Sequence, residues 1–430
     1  MSGDDEDRVA RVALTWLTEP GNRPVWELVR DLGAPAALRL LVAGDAADAS
    51  LRTTIAARRE AGDPRLRAEA ALRRGLRCGA RLVVPSDAEW PRRVDELGTL
   101  EVEGTDRVHR DIRPPLCLWV RGEHPVGEAL ERSVAVVGAR AATAYGTHVT
   151  ADLAYGLAER GWTVVSGGAY GIDSAAHRSA LAAGGCTVAV LACGVDRPYP
   201  AGNSAVFDSI VDSGLLISEW LPGADPLRHR FLIRNRVIAA ATAGTVVVEA
   251  AARSGAVQTM SRVVALNRPA MVVPGPVTSA MSVGCHELLR RYPSARLVTE
   301  LAQVLDEVGS IGEYLAEPAR AREHARDHLD EESALILEAV PEHGSAGPEQ
   351  LAARAGLEIR TVLRRLSLLE HEGLIVRRTD GVSLSRAART VVARTAVPPR
   401  PPEAPTLPFP ADPAAGTPPG VRGGGGDAPA

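Results

Sequence analysis

The sequence of 430 residues contains no lysine, so all 49 of its basic residues are arginines. Aromatic residues are also scarce, at 3% of the chain. This scarcity disfavours nucleic-acid-binding modules that stack bases on rows of Phe and Tyr along a sheet. The net charge of -4 and the pI near 6.2 exclude a polycation. Any nucleic-acid site must therefore be a local patch.

The five cysteines are scattered and form no C-x-x-C pair, so neither a disulfide framework nor a metal cluster is expected. The first residues, MSGDDEDRVA, are acidic and lack the apolar core of an export signal. The longest apolar run, Val237–Ala252, is interrupted by Glu249 and is too short to span a bilayer. These absences predict a cytoplasmic protein with reduced thiols and no membrane contact.

Apolar spacing and breaker residues divide the chain into five predicted regions. Residues 1–75 have helical spacing and predict a small helical domain. From 76 to 308, β-branched runs alternate with helical segments, which predicts an α/β fold with an extended Rossmann-like parallel sheet. Residues 309–330 are charged and lack core spacing, which predicts a linker. Residues 331–392 have the order of elements that is typical of a winged helix: a helix, a helix–turn–helix and a hairpin. The Pro- and Gly-rich residues 393–430 predict disorder.

The first candidate site is the strand-to-helix corner VAVVGARAATAYG, residues 134–146. The strand ends at Gly138, and Arg140 stands where a dinucleotide fingerprint requires glycine. The next strand supplies no carboxylate for a ribose diol, and no Walker A sequence is present, so no nucleotide cofactor is expected. Backbone N–H groups and one guanidinium at such a corner suit a phosphate. A structural salt bridge is an equally weighted alternative for Arg140.

The second candidate is SGGAYGIDSAAH, residues 166–177. Two glycines at a strand end allow a tight turn that directs N–H groups toward an anion. Asp173 lies one helical turn before His177, so an Asp–His pair is geometrically possible. We favour a capped helix with a packed histidine, because the local sequence supplies no second carboxylate or nucleophile.

The third candidate is an arginine cluster without counter-charges, residues 225–244. Between Asp225 and Glu249 there is no acidic residue, whereas arginines stand at positions 228, 230, 234 and 236. A charge run usually marks a solvated face, but this one leads directly into an apolar stretch. That pattern favours a phosphate-binding patch, with Phe231 turned toward the core.

The fourth candidate is Glu249, which ends the strand in VVVEAAARSG. It could form an i, i+4 ion pair with Arg253. It could also be the catalytic carboxylate of a nucleotide hydrolase.

Taken together, these segments resemble the DNA-processing protein A family, DprA or Smf. The resemblance is carried by VAVVGAR, SGGAYGIDSAAH, AVLACGVDRPYPAGN, GLLISEWLPG, FLIRNRVIA, VVVEAAARSGAVQT and VPGPVTSAMSVGCHELLR. Each motif is weak alone, but the ordered set, over roughly residues 80–300, is specific.

The resemblance implies a homodimeric protein that binds single-stranded DNA and hands it to the recombinase RecA in natural transformation, without catalytic turnover. It implies DNA contacts at Gly138, Arg140, Ser166, Gly167, Gly168, Asn203, Arg234, Asn235 and Arg236. The chain departs from the family at Tyr170, where an Arg is common.

Two other functions compete with this one. A nucleotide phosphoribohydrolase-like enzyme would use Glu249 as acid/base, but the paired glycines of that pattern are missing before the glutamate. A sequence-specific regulator would act through the winged helix. Eight Arg against nine Asp and Glu in residues 331–389 are a poor balance for duplex binding.

Overall fold

The computed structural model describes residues 3–45, 48–100, 112–310, 329–385 and 388. The chain divides into two compact units, Met1–Glu317 and Pro318–Ala430. Most of the predicted linker, residues 311–328, and the predicted disordered tail, residues 393–430, lie outside the described residues. The predicted domain boundaries therefore stay predictions.

The first unit begins with a group of helices. These are α1 (Gly3–Leu17), α2 (Arg23–Leu32), α3 (Ala34–Ala43), α4 (Ala49–Glu60) and α5 (Pro64–Arg77). Acidic residues in the first turn of α1 favour its N-terminus, and its face with Leu14 and Leu17 is fully buried. The second helix ends at Gly33, whose φ of 80° is one that glycine tolerates.

A large, mostly parallel sheet follows these helices. Its strands are β1 (Ala80–Val83), β2 (Leu118–Arg121), β3 (Ser133–Gly138), β4 (Thr163–Ser166), β5 (Thr187–Leu191), β6 (Leu215–Ser218), β7 (Gly244–Val248), β8 (Ala270–Val272) and β9 (Arg296–Leu297). Their order is β1-β2-β6-β5-β4-β3-β7-β8-β9. Among the described strands of this sheet, β2 alone runs opposite to the others, because it pairs antiparallel with both of its neighbours, β1 and β6.

Helices cover both faces of the sheet. They are α6 (Val126–Glu131), α7 (Ala144–Glu159), α8 (Ile172–Ala182), α9 (Ser204–Ser213), α10 (Arg228–Ala241), α11 (Gly255–Ala265), α12 (Val283–Arg291) and α13 (Leu301–Val308). Alternate residues of β3 enter different cores, because Val134 and Val136 pack in one cluster and Ala135 and Val137 in another. This two-sided burial explains the continuous apolar strands and confirms the predicted α/β class.

The winding of the sheet reverses at β3. Strand β4 pairs with one side of β3, and β7 pairs with the other side. At such a switch point, the loops that leave the neighbouring strands diverge and open a crevice at their carboxyl ends.

The second unit contains α14 (Glu331–Ala339), α15 (Pro348–Ala355) and α16 (Ile359–His371), followed by the antiparallel hairpin of β10 (Ile375–Arg378) and β11 (Gly381–Leu384). Gly356, with a φ of 69°, ends α15 at the expected turn. The element order is the expected one, and the winged-helix assignment stays a prediction. Across the described residues, no helix is long and apolar enough to cross a membrane.

Candidate functional site

The reversal at β3 opens a crevice of about 820 Å³. Its walls are the loops that follow β3, β4 and β7, together with one side of α10. Gly138 lies in the wall, and the position requires glycine because a Cβ there would stand 2.0 Å from the carbonyl oxygen of Val248. Tyr199 and Met281, from two loops at other strand ends, complete the rim.

Two of the predicted arginines meet at one aromatic ring in this crevice. The Arg140 guanidinium carbon lies 5.2 Å from the centroid of the Phe231 ring, and that of Arg234 lies 6.0 Å from it. The Tyr199 ring packs edge-on against Phe231, with centroids 6.0 Å apart. Phe231 therefore lines the crevice, and its partly buried side chain also packs against a small core cluster that includes Trp220, as expected.

Arg234 forms the floor of the crevice. It is buried, and its Nη1 donates to the carbonyl oxygens of Gly167, at 2.8 Å, and Val190. A Cβ on Gly167 would lie 2.4 Å from Arg234 Nη2, so glycine makes room for the guanidinium. Burial lowers the pKa of Arg234 to about 10, and the nearby carboxylate of Asp173 opposes that shift. The side chain therefore keeps its charge at neutral pH.

Asp173 accepts hydrogen bonds from backbone N–H groups of the glycine loop, residues 166–169. Its Oδ2 accepts hydrogen bonds from the backbone N–H of Gly167, at 3.2 Å, and of Ala169, at 3.3 Å. Burial raises the pKa of Asp173, whereas Arg234 and these amides oppose that rise. The amide groups of this loop are thus taken up by a side-chain carboxyl group of the protein itself.

Three further arginines of the lining are exposed: Arg140, Arg228 and Arg253. Within the described part of the chain, none of the three has a carboxylate partner. Asp173 is the one acidic residue among the described residues that line the crevice, against four arginines. The crevice is therefore a local cationic site on a chain with net negative charge.

The two asparagines of the predicted site hold other groups in place. Asn235 lines the crevice and accepts a hydrogen bond from Arg234 Nε at 3.1 Å. Asn203 is buried and donates to the carbonyl oxygens of Gly168, at 3.0 Å, and Ala169, at 3.2 Å. Asn203 thus holds the glycine loop in place through these hydrogen bonds, and it is not among the residues that line the crevice.

The structure corrects the expectation for Arg236. This side chain is fully buried and pairs with the buried Glu219, with 2.6 Å between Nη2 and Oε1. Its Nε donates to the carbonyl oxygen of Arg113 at 2.9 Å. Arg236 therefore contributes to the fold, and it is not among the residues that line the crevice.

The glycine loop also differs from the expectation. The hydroxyl of Ser166 is buried and donates to the carbonyl oxygen of Val136 at 2.7 Å. The N–H of Gly167 is committed to Asp173, and Gly168 has a φ of 70°. These three residues shape the floor of the crevice, while Gly138, Arg140, Arg234 and Asn235 line it.

Glu249 has a structural place beside the crevice. Its carboxylate accepts hydrogen bonds from the N–H of Thr143, at 2.9 Å, and from its hydroxyl, at 2.5 Å. Thr143 is the N-cap of α7, and Gly146 leaves room for the carboxylate, since a Cβ there would lie 2.2 Å from Oε2. Glu249 therefore stabilises a helix N-terminus and is not the partner of Arg253.

His177 is packed in the core, as the sequence favoured. Its Nδ1 lies 2.7 Å from the hydroxyl of Thr187, which itself donates to the carbonyl oxygen of Val164. The histidine is therefore the donor in this pair. Burial and, to a lesser extent, Arg234 lower the pKa of His177 to about 3, so the ring is neutral.

The DNA contacts that the resemblance implies do not include Arg253 and Arg228. The sequence offers Arg253 only as a possible ion-pair partner of Glu249, whereas Arg228 belongs to the arginine cluster predicted to bind phosphate. A usable signal for Arg253 was its place in the loop after β7, next to the strand that ends in Gly138.

A sequence profile for the family described as DNA recombination-mediator protein A matches residues 81–309. That match covers more than half of the chain and includes every described wall of the crevice. The chain belongs to this family.

Named relatives agree with the family assignment. A DprA homologue of Mycobacterium tuberculosis is 49% identical over 300 residues, which are 70% of this chain and 75% of that protein. The protein Smf of Escherichia coli is 33% identical over 291 residues, covering 66% of this chain and 75% of that protein. The resemblance found in the sequence is thereby confirmed.

A solved structure agrees with the fold. The X-ray structure of DNA processing protein A from Streptococcus pneumoniae superposes with a TM-score of 0.57 and 29% sequence identity. The superposition covers 71% of this chain and 98% of the other.

Proposed function

We propose that the crevice binds the backbone of single-stranded DNA without regard to sequence. The observation that carries this proposal is the convergence of Arg140 and Arg234 on Phe231, with Arg228 and Arg253 in the same walls. Guanidinium groups pair well with phosphates, and such contacts carry no sequence information.

The shape of the crevice favours an unpaired strand over a duplex. Its deepest cation, Arg234, is 4% exposed, so a phosphate or base must enter the crevice to reach it. The rings of Phe231 and Tyr199 offer partners for stacking. Bases in a duplex already stack on each other, whereas bases of a single strand can stack on such rings.

In the cell, this protein would protect incoming single strands and load RecA on them during natural transformation or recombination. Membership of the recombination-mediator family supports this role. It also supports a cytoplasmic homodimer as the working form. The site would bind without turnover, and the commitment of Glu249 to the N-terminus of α7 supports binding over hydrolysis.

Replacement of one exposed crevice cation tests this function. Arg140→Ala should weaken the binding of mixed-sequence oligodeoxynucleotides by about tenfold, because a charge-assisted contact is lost. The loss should be similar for all sequences, and the slope of log affinity against log salt should become shallower by about 0.7. Fluorescence anisotropy at several salt concentrations measures both quantities.

The matched control is Arg178→Ala, which removes an exposed arginine of α8 outside the crevice. It should bind like the parent protein. Equal losses of affinity in the two variants would mean that arginines anywhere on the surface attract the strand, and that the crevice does not.

A further inference from the structure

A second basic cleft lies beside the crevice, between the N-terminal helices and the sheet. It has a volume of about 500 Å³. Residues of α1, α4 and α5 form one wall, and the segment between β6 and α10 forms the other.

One stretch of backbone separates the two clefts. Pro226 and Arg228 line the crevice, whereas Asp225, Leu227 and Arg230 line the second cleft. Neighbouring residues of this one segment thus line different clefts. A polymer that leaves the crevice over this segment would reach the second cleft directly.

Most charges around the second cleft are already paired. The ion pairs are Arg230–Glu19, Arg74–Asp196 and Arg197–Asp225, with N–O distances of 2.7, 2.6 and 2.8 Å. Arg58 and Arg67 also line the cleft, and neither has a carboxylate partner among the residues that the structure describes. These two guanidiniums give the cleft its uncompensated positive charge.

An aromatic ring lies beside these cations. The Arg67 guanidinium carbon is 5.9 Å from the centroid of the Trp16 ring, which is partly exposed in the cleft. Proteins that bind single strands combine cations for the phosphates with rings on which the bases stack. The second cleft offers both, with Arg58 and Arg67 as the cations and Trp16 as the ring.

We propose that the second cleft binds the continuation of the single strand held in the crevice. The inference rests on the proposed function of the crevice and extends it to a second site. Phosphates of the strand would contact Arg58 and Arg67, and a base would stack on Trp16. The crevice alone would bind a short strand, and both clefts together would bind a longer one.

The test compares two strand lengths on the full chain. Oligodeoxynucleotides of about 6 and about 24 nucleotides lie near the lower end and beyond the upper end of the site sizes of single-strand-binding modules, which are roughly 4–16 nucleotides. The double variant Arg58→Ala/Arg67→Ala should bind the long strand about a hundredfold more weakly than the parent, because two charge-assisted contacts are lost. Its salt slope on that strand should be shallower by about 1.4, which is two lost phosphate contacts. The short strand should bind the double variant as tightly as it binds the parent. That result would also show that the crevice of the variant is folded.

The matched control is Arg59→Ala/Arg77→Ala, which removes two exposed arginines from α4 and the end of α5 that do not line the cleft. If this control and the cleft variant bind the long strand equally, the second site is refuted while the crevice stands. A cleft variant that loses the short strand as well would also refute a separate site. If the parent binds neither strand, the proposed function of the crevice fails and the second site fails with it.

Discussion

Arg140, Arg234 and Arg236 are the same residue type within one cluster of motifs, yet their environments give them different roles. Arg140 is exposed on Phe231, Arg234 is buried beside Asp173, and Arg236 is buried against Glu219. Removing one partner of a buried ion pair costs about 3–5 kcal/mol, so Arg236 acts on stability. A cation that is exposed in a crevice can instead exchange water for phosphate.

At Glu249, the competing enzyme hypothesis can be tested directly. Glu249→Gln should lower the free energy of unfolding by about 1–2 kcal/mol, because the charge at the N-terminus of α7 is lost. DNA affinity should stay within about twofold of the parent, since the carboxylate does not line the crevice. Urea denaturation and anisotropy measure the two quantities. Release of a base from nucleoside monophosphates by the parent, abolished in this variant, would revive the phosphoribohydrolase.

His177 predicts a pH dependence of stability. Its pKa is about 3 in the folded chain against the ordinary 6.5, so below pH 6.5 the unfolded state binds a proton that the folded state does not. Stability is therefore lost as the pH falls from 6.5 toward 3, and this histidine accounts for about 2–3 kcal/mol between pH 6.5 and pH 4.5.

In His177→Asn, an amide N–H can replace the donor to Thr187, and no titrating ring remains. The difference in unfolding free energy between parent and variant should shrink by about 2–3 kcal/mol from pH 6.5 to pH 4.5. The exposed His124→Asn serves as control and should follow the parent. A constant difference between His177→Asn and the parent at all pH values would contradict a neutral buried ring.

At the scale of elements, the site depends on where strands end and on which residues are small there. The loop after β4 places Gly167 against the Arg234 guanidinium, and the last residue of β3, Gly138, lies against Val248. Side chains larger than hydrogen at these positions would occupy space that the neighbouring loop already fills. The glycines thus set the depth of the crevice.

A pair of glycines tests this dependence. Gly167→Ala would place a methyl group 2.4 Å from Arg234 Nη2, so the guanidinium must move and DNA affinity should fall by about tenfold. Gly255→Ala, also in the crevice wall, meets its nearest atom at 3.7 Å and should leave affinity unchanged. Anisotropy titrations of both variants measure the difference. Unchanged affinity in Gly167→Ala would remove Arg234 from the binding site.

Most strands could be predicted from the sequence, and their partners could not. The β-branched runs that form β1 to β8 stand out because each is continuous and nearly every one ends at a breaker residue. Strand β9 has two exposed residues, Arg296 and Leu297, and so carries no apolar pattern. The antiparallel pairing of β1 and β2 is also absent from the pattern, since spacing shows that a strand exists but not its direction.

Helix α10 shows why the site was predicted only in part. From Ile233 onward every residue of this helix is buried, including Arg234, Asn235 and Arg236. A helix that is buried all round has no polar face, so periodicity cannot tell which arginine faces the crevice. Phe231, just before this stretch, packs against the core and also lines the crevice, and periodicity does not predict the second contact.

At the scale of the whole molecule, the chain keeps a net charge of -4 and concentrates positive charge in the crevice. Such a distribution limits non-specific attraction to duplex DNA, which depends on a broad basic surface. The position of the crevice follows from the sheet order, because β4 and β7 leave β3 on opposite sides. Charge and topology together thus predict a preference for unpaired strands.

The central claim is tested most directly by titrating the full chain with labelled single-stranded and double-stranded oligodeoxynucleotides of one length across a range of salt concentrations. With about four phosphates in the crevice, the single strand should bind more tightly than the duplex, with a slope of log affinity against log salt of roughly -3. Equal or tighter binding of the duplex, or a slope near zero for the single strand, would contradict a cationic crevice built for an unpaired chain.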